Sequence, residues 1–379
     1  MLCAAWPRLS PRVSNNQLKI RLLHLIMKQN TIQAIVFEGV GKITTSEFQL
    51  GPCGDKDIVV RTLYTMVSTG TELRVLGGHY GASENFPLIP GYAVIGEVTA
   101  VGAEVKGYCV GDLISGRNPR AVPGIKSQWG GQASQHVYVT TGEDRPVVLP
   151  RGANPLDYVI TEVSSISYRG VQAAAAKPGE TAVVLGQGVI GAFSAAWLHA
   201  RGCRVIVADL EAKRLERALA WGAAAAVNIA DGNAAERILT LCDGGADIVV
   251  ESSGATPGAK LACQLVRRKP QAFSGEYRVE PMSFYAGQWS RLVFQAGYLE
   301  EISINPFDFF AGEGLTILTP ADHGIEDRQS VVEAIRRGVI RASDFVGRVV
   351  PFTEAPEAYA SLRDDKNNNF SLVLDWTNA

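Results

Sequence analysis

The 379-residue chain is poor in metal ligands and in clustered charge. It holds five histidines and six cysteines, and no two cysteines stand as C-x-x-C. Cys3, Cys53, Cys109, Cys203, Cys242 and Cys263 are scattered, a spacing that predicts free thiols in a reducing, cytoplasmic setting and supplies no zinc cluster. Charged residues make up 20%, the net charge is −2, and no dense basic block appears, so the footprint of a nucleic-acid binder is missing. Ala182–Ala200 has no Lys, Arg, Asp or Glu, yet its glycines and the flanking Glu180 and Arg201 argue against a membrane span, which needs about 20 predominantly apolar residues. Internal repeats and low-complexity tracts are lacking too. What remains is 46% hydrophobic, enough core for two domains.

Residues 181–209, TAVVLGQGVIGAFSAAWLHARGCRVIVAD, organise the chain. An apolar strand pattern, Ala182–Leu185, runs into Gly186, Gly188 and Gly191, spaced G-x-G-x-x-G. A helical stretch and a second apolar strand, Val205–Ala208, follow and end at Asp209. Gly186 permits the tight turn, Gly188 lets a pyrophosphate approach the backbone, and Gly191 lets the helix lie close to the sheet. Val189 and Ile190 open that helix, whose free N–H groups and dipole favour phosphate. Asp209, 18 residues past Gly191, is spaced to accept from a ribose 2′-hydroxyl. Its carboxylate would repel a 2′-phosphate, which favours NAD over NADP. Lys213 and Arg214 would soften that repulsion, or are solvated helix charges.

Residues 1–26 carry Arg8, Arg12, Lys19 and Arg21 and no acid. They read either as a transit peptide or as translation from an upstream start, with Met27 the natural beginning, and are left out of the fold. From Thr31 to Pro150, short β-runs punctuated by Gly and Pro predict a small barrel. From about Leu156, strands and helices alternate, which predicts a doubly wound parallel sheet. Residues 269–289 read as a long polar and aromatic excursion. The tail from Arg341 returns to strand and helix. The expected division is 27–160 with 341–379 as one domain and 161–340 as the dinucleotide-binding domain.

A β-rich front, a glycine-loop middle and a β/α tail resemble the medium-chain dehydrogenase/reductase superfamily. VSTGTEL at 67–73 is similar to its C-G-T-D segment, PLIPGYAVIGEVTAVG at 87–102 to its P-x-x-x-G-H-E-x-x-G-x-V-x-x-x-G, and PFTEAPEAYASL at 351–362 to its tail. The resemblance implies an α/β chain: a GroES-like β-barrel catalytic domain plus a Rossmann doubly wound parallel-sheet domain. VSTGTE, VFQAGYLEEISINPFDFF and LVLDW most resemble the group containing bacteriochlorophyllide dehydrogenase, an enzyme that oxidises a hydroxyethyl group. Relatives associate through an edge strand of the cofactor domain, which implies a homodimer or homotetramer.

The departures from the family decide the expected chemistry. Where zinc members place Cys, His and Glu, this chain has Thr69, Tyr92 and Ala93. Glu162 alone could still ligate, and one carboxylate cannot hold zinc, which takes about four donors. No metal is therefore expected, and residues 112–135 lack the cysteines of a second zinc site. Hydrogen-bond donors must then polarise the substrate oxygen. The resemblance assigns this to Thr71, whose alternative is a turn threonine bonding its own backbone, and to Tyr92, whose alternative is a ring that fills the space zinc left. Glu162 is either a buried carboxylate of raised pKa or a helix N-terminal acid. Ser252 and Ser253 end the strand DIVVE, and the resemblance sets them beside the nicotinamide ribose. Gly297 and Tyr298 end the next strand, and the resemblance sets them beside the nicotinamide; ordinary strand-end turn chemistry is the alternative for each. His79 and Tyr80 belong to a loop before the P-x-x-x-G segment; His136 and His199 read as structural.

The resulting expectation is a zinc-independent, NAD(P)-dependent oxidoreductase acting on an alcohol or carbonyl small molecule, with no nucleic-acid or membrane partner. A quinone or enone reductase and a non-catalytic dinucleotide-binding protein are the alternatives.

Overall fold

The computed structural model describes residues 30–267, 290–303, 315–320, 322–365 and 367–379. The expected N-terminal extension and the excursion at 269–289 lie outside the described residues, as does most of SINPFDFF.

The front of the chain forms two mostly antiparallel sheets. Thr31–Gly39 turns back through Gly41 into Lys42–Gln49, with Ile35 opposite Thr45 and Phe37 opposite Ile43. This hairpin joins Leu88–Ile89 and Lys126–Ser127 in a four-stranded sheet. The larger sheet has Asp57–Val67 near its centre, paired on one side with Ala93–Val101 and on the other with Leu372–Asp375. The C-terminal strand thus completes the N-terminal sheet, with Leu372 opposite Val67.

The middle of the chain forms a six-stranded parallel sheet in the order Ala225–Asn228, Arg204–Asp209, Thr181–Leu185, Ile248–Glu251, Arg291–Phe294, Thr316–Leu318. Counted along the chain this is 3-2-1-4-5-6, the Rossmann order, and the strand order reverses between the first and fourth strands. Val183, Val184, Ile206, Val207 and Val249 are fully buried because helices cover both faces. Each such side chain stabilises the fold by about 1.5–3 kcal/mol. The expected GroES-like and Rossmann architecture is therefore present.

Two elements differ from the sequence reading. Residues 69–76, where the sequence pattern breaks a β-run at Gly70 and continues as loop, form the helix Thr69–Leu76. Gly70 and two β-branched threonines hide it in the sequence; Glu72 stabilises it by reaching back to the Ser68 N–H at 2.8 Å. The strand expected to reach Gly297 stops at Phe294, so Gly297 and Tyr298 lie in the turn beyond it. Helix Ile325–Arg336 is capped at its start, where Asp327 accepts from the Gly324 N–H at 3.0 Å.

Candidate active site

The glycine turn is built as the spacing demands. Gly186 sits at φ 82°, and a Cβ there would press on the Ser253 backbone at 2.8 Å. A Cβ on Gly191 would stand 1.8 Å from the Gly186 carbonyl oxygen. Gly188 differs: a Cβ there would meet only Arg214 Nη1, at 4.0 Å. Its backbone faces an open mouth, and helix Val189–Ala200 begins there with no side chain capping its first N–H groups. Val189 is buried and Ile190 half-buried at that start. This cradle suits a diphosphate.

Asp209 is buried at the end of the second parallel strand. Its Oδ2 accepts from the Gln187 N–H at 2.5 Å and its Oδ1 from the Glu211 N–H at 2.8 Å. Arg214 Nη1 lies 3.9 Å from the same carboxylate. The acid thus ties the glycine turn to the second strand and shares its surroundings with a guanidinium. Lys213 instead bonds Asn368.

Across the switch point, Glu251 ends the fourth strand fully buried. It accepts from the Ser253 N–H at 2.9 Å and the Gly254 N–H at 3.2 Å, and from the Ser253 and Tyr298 hydroxyls. Burial and the bond to Glu251 push the Tyr298 phenol far above its ordinary pKa. Ser252 Oγ is buried without a partner among the described residues. Gly297 is reached from the barrel side: Arg74 Nη1 donates to its carbonyl at 2.8 Å. That contact brings helix Thr69–Leu76 to the C-terminal ends of the parallel strands, where ligands lie in this architecture.

A group of hydroxyls gathers at the start of that helix. Tyr92 Oη donates to Ser68 Oγ at 2.6 Å, and Thr71 is within hydrogen-bonding reach of the same phenol. Thr69 Oγ1 is buried without a partner among the described residues. Burial pushes the Tyr92 pKa up, Ser68 opposes this, and the nearby Glu72 charge adds to it, so the phenol keeps its proton. The Tyr92 ring meets Trp129 edge-on at 5.5 Å. Behind Ser68 lies Glu72, fully buried, accepting from Tyr359 Oη at 2.5 Å and Gln132 Nε2 at 3.1 Å. Burial pushes its pKa up to about 7, against the opposing bonds from Tyr359, the Ser68 N–H and Gln132.

Glu162 lies in a second, ionic cluster. Its Oε2 meets His323 Nε2 at 2.9 Å; its Oε1 accepts from Ser115 Oγ at 3.3 Å and Arg328 Nη1 at 3.4 Å. Arg117 bridges His323 and Asp322, donating to the two Asp322 oxygens at 2.9 and 2.7 Å. Of the two readings of Glu162, it is an acid in the first turn of helix Thr161–Ala173, and its pKa is not raised. Burial would raise it, but the His323 bond and the Arg328, His323 and Arg117 charges outweigh burial and lower it. His323 moves the other way. Burial would lower it, but the bonds to Asp322 and Glu162 raise it.

The remaining candidates separate. Tyr80 reaches the cleft and bonds Arg74; His79 is exposed. His136 is buried in the strand Gln135–Val139, and burial lowers its pKa to about 4. His199 packs its ring near Trp221. Sequence reasoning passed over Ser68, Glu72, Arg74, Arg117, Glu251, His323 and Arg328. Glu251 stood at a strand end and was findable there. His323 is 161 residues from Glu162, and nothing local links them.

Residues 189–273 match the family described as zinc-binding dehydrogenase, and residues 54–150 match the alcohol dehydrogenase GroES-like domain. A protein of Agrobacterium fabrum with the provisional name D-xylulose reductase is 30% identical, across 61% of this chain and 74% of its own. The chain belongs to the medium-chain dehydrogenase/reductase superfamily. It is an NAD(P)-dependent, alcohol-dehydrogenase-like oxidoreductase of that superfamily. The sorbitol dehydrogenase of Halalkalibacterium halodurans is 26% identical, across 62% of this chain and 73% of its own. A solved alcohol dehydrogenase from E. coli CFT073, complexed with NADH, shares the fold with a TM-score of 0.77 at 17% identity, across 91% of this chain and 99% of its own.

Zinc is the metal such a family implies, and the donor set here does not fit it. Among the described residues, no group of three His, Cys, Asp or Glu side chains could hold an ion. Glu162 spends both oxygens on His323, Arg328 and Ser115, and Tyr92 is a protonated donor rather than an anionic ligand. The glycine turn, by contrast, fits a dinucleotide. No helix among the described residues is long and apolar enough to cross a membrane.

Proposed function

We propose that this protein is a zinc-independent oxidoreductase that moves a hydride between a nicotinamide cofactor and an alcohol or carbonyl substrate. The observation that supports the reading is the buried Tyr92–Ser68 hydrogen bond, with Tyr92 at the position that the resemblance gives to a zinc-ligand histidine. Relatives named for sorbitol and xylulose support a polyol or related alcohol as substrate. The hydride chemistry belongs to the nicotinamide. Gly186, Gly188, Val189, Ile190 and Gly191 would hold its diphosphate, Asp209 its adenosine ribose, and Ser252, Ser253 and Gly297 the nicotinamide end.

The chain's own part is to place and keep a proton. Tyr92 Oη holds one at ordinary pH because burial and Glu72 disfavour the phenolate. That O–H is donated to Ser68 Oγ, so the hydrogen offered to a substrate oxygen is the Ser68 hydroxyl's own, replenished from Tyr92, and Thr71 offers a second hydroxyl. Preorganised donors of this kind stabilise charge developing on a substrate oxygen. Glu162 supports the site by holding His323, Arg328 and Ser115 across three elements. NAD is the cofactor Asp209 favours, and Arg214 is the residue through which NADP would be accepted. The zinc-free branch, the bacteriochlorophyllide dehydrogenase-like group, the two-domain division at 160 and 341, a homodimer or homotetramer, and a cytoplasmic setting belong to the same reading.

The test is to follow NADH and NADPH absorbance with panels of ketones, aldehydes, quinones and enones, alongside elemental analysis for zinc. Carbonyl turnover without stoichiometric zinc is expected. Turnover confined to C=C bonds or quinones would replace the reading, as would bound zinc at one per chain.

A further inference from the structure

Helix Thr69–Leu76 carries a second chemical group toward the crevice. Thr71 and Arg74 are three residues apart, a spacing that makes side chains neighbours on a helix. Arg74 Nη1 donates to the Gly297 carbonyl at 2.8 Å and to Tyr80 Oη at 3.0 Å. Its Nη2 occupies space that a side chain at Gly254 would need, 2.7 Å from the position of a Cβ there. Nη1 lies 3.4 Å from the equivalent point on Gly297. The guanidinium therefore rests on two side-chain-free turns, those after the fourth and fifth parallel strands. Gly254 sits at φ 65° and Tyr80 at φ 58°, a conformation uncommon outside glycine.

Among the described residues, both hydrogen-bond partners of Arg74 are neutral. A carbonyl and a phenol satisfy N–H bonds but carry no opposite charge. A guanidinium prefers a carboxylate or phosphate, which accepts two parallel N–H bonds and neutralises it. The cation also stands beside the crevice that ligands enter.

We propose that Arg74 is an oxyanion-binding residue of the crevice, exchanging the Gly297 carbonyl for an oxyanion of the incoming ligand. That oxyanion is a substrate carboxylate or a cofactor phosphate. The proposal rests on the oxidoreductase reading above; a substrate carboxylate would make the substrate an acidic alcohol or carbonyl compound, whereas a cofactor phosphate leaves the neutral polyol reading unchanged.

The experiment uses the full chain with Arg74→Met and Arg74→Lys. Calorimetry gives Kd for NADH and NADPH. A second arm measures binding of acetate, glycolate and lactate against acetamide, glycolamide and lactamide, with and without NADH. Arg74→Met is expected to weaken one arm about tenfold or more, either the dinucleotides or the carboxylates relative to their amides. Arg74→Lys, which keeps charge and loses the fork, is expected to fall between. Changes within twofold in both arms, or equal loss for carboxylates and amides, overturn the proposal. Should Arg74→Met fail to fold, Gly254→Ala keeps the charge, crowds Nη2, and is read by the same two arms. A wild-type protein that binds neither NADH nor NADPH sinks the oxidoreductase reading, while the carboxylate arm on the free protein still decides the oxyanion site.

Discussion

The phenol of Tyr92 donates its hydrogen to Ser68 Oγ at 2.6 Å, and both residues are buried. Tyr92 stands in the strand-entry segment of one family motif, and Ser68 stands before the helix of another. If this pair orients the proton donor, Tyr92→Phe lowers kcat by about 10²–10³-fold while leaving the dinucleotide Kd unchanged. Ser68→Ala, which removes the hydroxyl between Tyr92 and the substrate oxygen, costs about tenfold or more. Steady-state kinetics paired with cofactor titration checks this; an equal loss of cofactor affinity would make the pair structural.

Glu72 links the site to pH through stability. Its folded pKa, about 7, lies above the ordinary carboxylate value of 4.5, so the folded state binds the proton more tightly than the unfolded chain. Stability therefore falls as pH rises from about 4.5 to about 7 and is level above that. The drop is on the order of 3 kcal/mol. Denaturant melts of wild type and Glu72→Gln across that range are expected to diverge with this slope, because the amide cannot ionise.

Two glycines of one turn predict opposite phenotypes. Gly188→Ala adds a methyl to open space, 4.0 Å from Arg214, at a backbone angle any residue adopts. It is expected to change stability by no more than about 0.5 kcal/mol. Its dinucleotide affinity should nonetheless drop about tenfold, since the methyl enters the mouth the diphosphate needs. Gly191→Ala forces a carbon to 1.8 Å from the Gly186 carbonyl. That variant should lose about 1–3 kcal/mol before any ligand is added. Melting curves and calorimetry on the two proteins separate the effects.

The Glu162 cluster predicts a stability window. A lowered Glu162 pKa contributes stability above the ordinary carboxylate range and loses it as pH falls through the folded value. A raised His323 pKa contributes stability below the ordinary imidazole range and loses it as pH rises through the folded value. The stability difference between wild type and Glu162→Gln should thus peak between the two and decline on both sides. Glu162→Ala, which leaves Arg117, Arg328 and His323 facing one another, should cost about 3–5 kcal/mol. A flat difference with pH would show that the cluster does not titrate as a unit.

The parallel sheet, its glycine turn and Asp209 were legible in the linear chain because each rests on local rules: apolar runs for doubly covered strands, side-chain-free positions for a tight turn, an acid at a strand end. The departures from the family's zinc-ligand motifs, Thr69, Tyr92 and Ala93, were legible too. Only the tertiary structure decided what stands in their place. It brought Ser68 to Tyr92, Tyr359 to Glu72 across 287 residues, and His323 to Glu162 across 161. It also decided between the two readings of Glu162, whose pKa is lowered. Sequence pattern records which residues want burial, but the sign of a buried charge's shift depends on which opposite charges the fold delivers, and those arrive from elements far apart in the chain.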